Sequence, residues 1–164
     1  MKFKDLLIFL REGVQSYAPL GVMLGLAQAL SRVLTLLQAP QTLAVYLQGA
    51  INDKYIFLLV LNIILFLLGM VLDVGPAIMI LSPMLLPFAV SLGIDPVHLG
   101  IIMTCNLAVG MVTPPFGMNL FVASPMIKEN PMRIGKEALP FIGFYVIALL
   151  IITYVPQLTM YMIG

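Results

Sequence analysis

One helix-breaking segment between two apolar runs carries the residues best suited to bind an ion. Residues 110–119 read Gly-Met-Val-Thr-Pro-Pro-Phe-Gly-Met-Asn, and apolar residues continue on both sides. Two prolines with flanking glycines cannot continue a helix. A helix broken inside a membrane aims unpaired carbonyl and N–H groups at one point, an arrangement that binds Na⁺ or an anion. Thr113 and Asn119 add side-chain oxygens, and Asn106 lies just under two turns before Thr113.

Oxygen donors at this break predict a cation site. Hard oxygen atoms are the donors that Na⁺ prefers, so we expect Thr113 and Gly110 to be its ligands. The other candidate ion-binding or substrate-binding residues of the segment are Asn106, Pro114, Gly117 and Asn119. The alternative interpretation is a kinked structural helix that binds nothing.

A second break lies at Leu72-Asp-Val-Gly-Pro76, between apolar arms of about 16–18 residues. Asp, Gly and Pro together favour a tight turn. The pattern fits a helical hairpin that enters the membrane and returns, and equally an ordinary loop between two spanning helices. Asp73, Gly75 and Pro76 are therefore candidate site residues, since a carboxylate in a membrane is a functional hypothesis by default. For Asp73 we favour capping of the following helix over direct ion coordination, and Gly75 would resist substitution if its φ is positive.

The remaining polar residues of the apolar region indicate structural roles. Asp95, between Gly93 and Pro96, is typical of a surface turn that caps the next helix, and His98 is expected at the membrane interface. Nucleophile–base pairs and clusters of metal-ligating residues are absent from the sequence, which argues against an enzyme and against a cofactor other than a coupling ion.

The composition requires a lipid bilayer. Of 164 residues, 62% are hydrophobic and 9% are charged. A soluble domain of this size could not hide so much apolar surface. The net charge of +1 excludes a polybasic protein that binds nucleic acid.

Apolar runs, breaks and charged stretches divide the chain into five parts, all predicted to be helical. They are an amphipathic interfacial helix (1–15), a first membrane helix with a short connecting helix (16–54), a re-entrant helical hairpin (55–92), a broken transmembrane helix (93–127), and a cytoplasmic loop followed by the last transmembrane helix (128–164).

Charge placement predicts the orientation of these parts. With this topology, the basic residues near the N-terminus share one side with those of the 128–137 loop, whereas the opposite side has mainly Lys54, with Arg32 close to it. The positive-inside rule then places the N-terminus in the cytoplasm and the C-terminus outside.

Four motifs in order make the sequence recognisable. They are Gly69-Met-Val-Leu-Asp-Val-Gly-Pro76, Ile80-Leu-Ser-Pro-Met-Leu-Leu-Pro87, Gly93-Ile-Asp-Pro-Val-His98 and Gly110-Met-Val-Thr-Pro-Pro-Phe-Gly-Met-Asn-Leu-Phe-Val-Ala-Ser124. Together they resemble the C-terminal part of the large membrane subunit of tripartite ATP-independent periplasmic (TRAP) transporters.

This resemblance implies an all-α integral membrane fold of the elevator type, built from two inverted repeats that each hold a re-entrant hairpin and a broken helix. Residues 73–76 would form the hairpin tip, residues 110–119 the unwound link, and the two would share a sodium site. The family couples uptake of carboxylates, including C4-dicarboxylates and sialic acid, to Na⁺. Its members work in the bacterial inner membrane with a small membrane subunit and a periplasmic binding protein.

The chain departs from the family in length, because only the second repeat is present. The missing N-terminal repeat is therefore an expected partner, and the substrate would lie between the two repeats. Other hypotheses are a different ion-coupled dicarboxylate or citrate symporter, and a membrane protein that packs against neighbours without transporting.

Overall fold

A computed structural model describes residues 22, 25–51 and 53–161, which form helices and turns without any strand. The predicted interfacial helix over residues 1–15 lies outside these described residues. The helices are α1 (described over residues 25–36), α2 (Ala39–Ala50), α3 (Lys54–Gly69), α4 (Val74–Ser91), α5 (Pro96–Met111), α6 (Met118–Ile127), α7 (Pro131–Tyr154) and α8 (Pro156–Met160).

Short polar side chains define where three of the helices begin. Asp53 accepts hydrogen bonds from the backbone N–H groups of Tyr55 and Ile56 at 2.8 and 3.0 Å. Asp95 accepts one from Val97 at 2.7 Å, which confirms its predicted capping of α5. Asn130 does the same for α7. Each cap satisfies N–H groups that have no partner within their own helix.

The start of α4 differs from the prediction. Asp73 occupies the N-cap position, but its side chain accepts no hydrogen bond from the first turn, so the predicted side-chain cap is wrong. The helix begins at Val74, which puts Gly75 in helical backbone rather than at positive φ. Pro76 is tolerated there because the first N–H groups of a helix have no intrahelical acceptor. Among the described glycines, positive φ occurs instead at Gly93 (φ 72), just after α4 ends.

The charged stretch 128–137, predicted as a loop, is mostly helical. Asn130 caps α7 and Pro131 is its first residue, so the connection from α6 is limited to residues 128–130. A proline at the first helical position is pre-organised for a helix, and this signal outweighs the local polarity. Arg133 and Glu129 form an exposed ion pair across this start, at 3.2 Å.

The hydrophobic core lies where α3, α4 and α5 meet. Helix α3 packs mainly against α5, whereas α4 packs against α2 and α5. The rings of Phe57 and Phe88 meet edge to face with centroids 4.9 Å apart, so the start of α3 lies beside the end of α4. The two arms are therefore antiparallel, as a helical hairpin requires. Whether they return within the membrane or cross it stays a prediction.

Within the described part of the chain, α4 and α7 are long and apolar enough to cross a bilayer, and α3, α5 and α6 are shorter apolar helices. Much of the outer surface is also apolar: on α7, Phe141 and Phe144 are 73% and 74% exposed. Water would not stabilise such a surface, whereas hydrocarbon would.

Candidate functional site

Two glycines, Gly69 and Gly110, lie in backbone contact just before the two predicted breaks. A β-carbon added at Gly110 of α5 would lie 2.7 Å from the Cα atom of Gly69 in α3, so the two backbones are in direct contact. The turn after α3 begins at Met70, and the break after α5 begins at Val112. The crossing therefore brings into contact the ends of α3 and α5, which precede the turn and the break.

Backbone oxygens are concentrated at the break between α5 and α6. The Thr113 carbonyl accepts a hydrogen bond from the Gly117 N–H at 2.9 Å. A β-carbon at Gly117 would lie 2.7 Å from the carbonyl oxygens of both Met111 and Thr113, so only glycine allows this fold-back. The end of α5 also carries the negative pole of its helix dipole. Electrostatically, the segment suits a cation.

Thr113 adds a side-chain oxygen to this group of carbonyls. Its side chain is 6% exposed, and its hydroxyl donates to the carbonyl of Val109 at 2.7 Å. The hydroxyl proton is thus engaged, which leaves the oxygen lone pairs as acceptors or as ligands for a cation.

Helix α7 supports the break from the other side. A β-carbon at Gly135 would lie 2.9 Å from the Cβ atom of Pro114, so the proline ring packs directly on the α7 backbone. The Pro114–Pro115 peptide bond is cis. Asn119, by contrast, lies on the first turn of α6 with an exposed side chain.

Asn106 belongs to a buried polar cluster that links α3, α5 and α7. Its amide nitrogen donates to the Asn62 side-chain oxygen at 2.7 Å, and the Thr153 hydroxyl, which donates to the Leu149 carbonyl at 2.8 Å, lies 3.3 Å from the same Asn62 oxygen. The Asn106 side-chain oxygen is buried and has no hydrogen-bond partner among the residues that the structure describes. Asn62 and Thr153 were not predicted, although each is a lone polar residue in an apolar run, which is the signal that could have identified them.

His98 is buried within the protein, and its location at the membrane interface stays a prediction. It is 1% exposed, and its Nδ1 atom lies 2.8 Å from the Thr159 hydroxyl oxygen. Its Nε2 atom lies 3.2 Å from the carbonyl of Thr153. The ring therefore joins the start of α5 to the ends of α7 and α8. Its two polar contacts compensate for the loss of water around the buried ring nitrogens.

These features define a class: an all-helical membrane protein in which a turn follows α3 and a helix break follows α5. Residues 1–158 match the family described as the tripartite ATP-independent periplasmic transporter, DctM component, and the chain belongs to this family. The members of this family are transporters rather than enzymes. The match therefore favours this family over the other symporter families considered as alternatives.

Similar proteins include an isethionate TRAP transporter permease protein, DctMQ, of Oleidesulfovibrio alaskensis, 40% identical over 93% of this chain and 24% of that protein. The C4-dicarboxylate TRAP transporter large permease proteins of Vibrio cholerae and Pseudomonas aeruginosa are 42% and 39% identical over 79% and 82% of the chain. The match covers 29% and 31% of these two relatives. The chain thus spans about a quarter to a third of their length.

Proposed function

We propose that this chain is the C-terminal part of the large permease subunit of a sodium-coupled secondary transporter that imports small carboxylates. Two relatives are named for C4-dicarboxylates and one for isethionate, and both are small organic anions. The proposed cargo is a small carboxylate, C4-dicarboxylate or sialic-acid-like; the two C4-dicarboxylate relatives support the first, whereas isethionate is a sulfonate.

The observation that supports the sodium site is the contact between the Gly69 and Gly110 backbones, which brings together the helix ends that precede the turn and the break. We assign Thr113 and Gly110 as ligands through the Thr113 hydroxyl and the carbonyl oxygens at the end of α5. Residues 73–76 would close over the site as a gate. The remaining positions assigned to this ion and substrate region are Asn106, Pro114, Gly117 and Asn119.

The proposed assembly contains three further components: the N-terminal repeat, a small membrane subunit and a periplasmic binding protein that delivers the substrate. The permease would lie in the bacterial inner membrane. Basic residues at 128, 133 and 136 favour a cytoplasmic location for the start of α7, which puts the N-terminus in the cytoplasm and the C-terminus in the periplasm.

A chimaeric transporter tests this proposal. The matching segment of the Vibrio cholerae permease is replaced by this chain, and the product is reconstituted into liposomes with the small subunit of that transporter. Uptake of radiolabelled succinate is measured with external sodium or potassium, with and without the binding protein. We expect uptake that requires both sodium and the binding protein. Uptake that proceeds equally in potassium would refute sodium coupling, and uptake without the binding protein would refute the tripartite mechanism.

A further inference from the structure

His98 is a buried titratable group that the proposed transport site does not use. It lies in the first turn of α5, at the opposite end of that helix from the break, and it is the only histidine in the sequence. Its Nδ1 atom lies 2.8 Å from the Thr159 hydroxyl oxygen of α8, and its Nε2 atom lies 3.2 Å from the Thr153 carbonyl oxygen of α7. Helix α8 packs on both α5 and α7, so the ring lies where the three helices meet.

The Thr153 carbonyl fixes the tautomer of the neutral ring. A carbonyl oxygen only accepts hydrogen bonds, so Nε2 must carry the proton and donate it. Nδ1 then presents a lone pair, and the Thr159 hydroxyl is the donor within reach. That hydroxyl also lies 2.8 Å from the Pro156 carbonyl oxygen, and its single proton can serve only one of the two acceptors. In the neutral state the hydroxyl donates to Nδ1, and this hydrogen bond joins α8 to α5.

Protonation of the ring reverses this hydrogen bond and places a charge in the interior. An imidazolium donates from both nitrogens, so Thr159 must accept from Nδ1 and turn its own proton to Pro156. The hydrogen bonds can be kept in this way, but the ring is 1% exposed and its charge would be desolvated. Desolvation of an ion in a protein interior costs more than one additional hydrogen bond contributes. Burial therefore favours the neutral ring, and a proton binds more readily once α8 has moved away and admitted water.

The neighbouring charges do not change this order. Lys54, at the start of α3, and Asp95, three residues before His98, act on the ring with opposite signs. The helix poles also oppose each other, because the ring lies near the positive pole of α5 and the negative pole of α7. Helices α4 and α8 contain no titratable residue. The other titratable groups at this end of the described helices are Asp53, Tyr55, Tyr154 and Tyr161.

We propose that His98 is a proton-controlled latch: the neutral ring holds α8 against the start of α5, and protonation releases α8. Well above about pH 6.5, where an ordinary imidazole is neutral, neither the docked nor the released form binds the proton, and the latch holds. At lower pH the released form binds the proton more strongly than the docked form, so acid shifts the equilibrium toward release. The latch is remote from the helix break and does not depend on the proposed sodium site.

The test follows α8 with a spin label in the full chain in lipid nanodiscs. The label is attached at Leu158→Cys, an exposed position of α8, with Cys105→Ala removing the native thiol. From about pH 8 to about pH 5, the range in which histidine titrates, the mobile spectral component should grow from a minor to the major fraction. The matched control is a label at Phe144→Cys, an exposed position near the middle of α7, whose spectrum should stay the same.

Two positions assign the transition to the ring and its hydroxyl partner. His98→Gln keeps a hydrogen-bonding side chain that cannot take up a proton, so its α8 label should show no transition. Thr159→Val removes the hydroxyl and should leave α8 mobile already at the high-pH end, whereas Thr159→Ser should behave as wild type. The single histidine also gives one set of ring NMR signals, and its titration midpoint should coincide with the midpoint of wild-type release.

Four results would overturn the latch. They are an α8 label whose mobility does not change over this range in the wild type, a transition that persists in His98→Gln, wild-type behaviour of Thr159→Val at high pH, and titration of the ring without release of α8. Sodium-dependent uptake by the chimaera is a separate measurement, so either proposal can fail while the other stands.

Discussion

Replacing Gly110 with alanine should destabilise the fold, because it forces α3 and α5 apart. The added β-carbon would lie 2.6 and 2.7 Å from the carbonyl carbon and Cα atom of Gly69, and 2.7 Å from the carbonyl oxygen of Phe66. All three contacts are with backbone, which cannot move aside as a flexible side chain can. Overpacking of this kind costs about 1–3 kcal/mol. The gain in helix propensity, at most about 1 kcal/mol, offsets only part of it.

The matched control lies on the same helix. Gly100 of α5 has no atom within 4 Å of an added β-carbon, so Gly100→Ala should be neutral or slightly stabilising. Unfolding can be followed with a thiol-reactive dye, because Cys105 is the only cysteine and lies half-buried between the two positions. A chain of this size loses roughly 2–4 °C of melting temperature per kcal/mol. The α3–α5 crossing would be refuted if Gly110→Ala melted at or above the temperature of Gly100→Ala.

Further predictions concern the polar contacts. Replacing either Asn62 or Asn106 with leucine should lower the free energy of unfolding by about 1–3 kcal/mol, because it leaves a buried amide unpaired. In the same assay the double variant should lose less than the two single variants together. Strict additivity of the losses would show that the two amides do not interact. Asp95→Ala should lower the free energy of unfolding by about 1 kcal/mol, because it removes the side-chain cap of α5, whereas Asp73→Ala should leave it unchanged. Equal losses in the two variants would contradict the finding that Asp95 caps its helix and Asp73 does not. Thr113→Val should weaken the sodium dependence of succinate uptake by the chimaera, while Thr113→Ser should retain it; identical sodium dependence in both would remove Thr113 from the site.

The break between α5 and α6 could be predicted because local chemistry determines it. Two consecutive prolines cannot lie inside a continuous helix, and the structure ends α5 at Met111 and resumes at Met118, within the predicted segment 110–119. The start of α5 was predictable for the same reason, since Asp95-Pro96 is a strong local signal. In α4, however, the helix continues through Pro83 and Pro87, because packing against α2 and α5 compensates for the lost hydrogen bonds.

Contacts between distant helices could not be predicted. Asn106 meets Asn62 across 44 residues, and Thr153 meets Asn62 across 91. Apolar residues surround all three positions on every helical face, so hydrophobic periodicity does not say which face is inward. For the same reason, periodicity could not predict the Gly69–Gly110 crossing or the burial of His98. Both depend on which helices pack against these residues. Membership of the transporter family, by contrast, followed from motif order and is confirmed by the match over residues 1–158.

The central claim, a sodium site at the meeting of hairpin turn and helix break, is tested most directly by the thermal stability of the chimaera in detergent. Melting is compared in sodium chloride and potassium chloride at equal ionic strength. An ion that binds only the folded state at roughly ten to a hundred times its dissociation constant adds about 1–3 kcal/mol. We predict a sodium-specific rise in melting temperature that is lost in Thr113→Val and kept in Thr113→Ser. Equal melting temperatures in the two salts, or a sodium effect of the same size in both variants, would contradict the account.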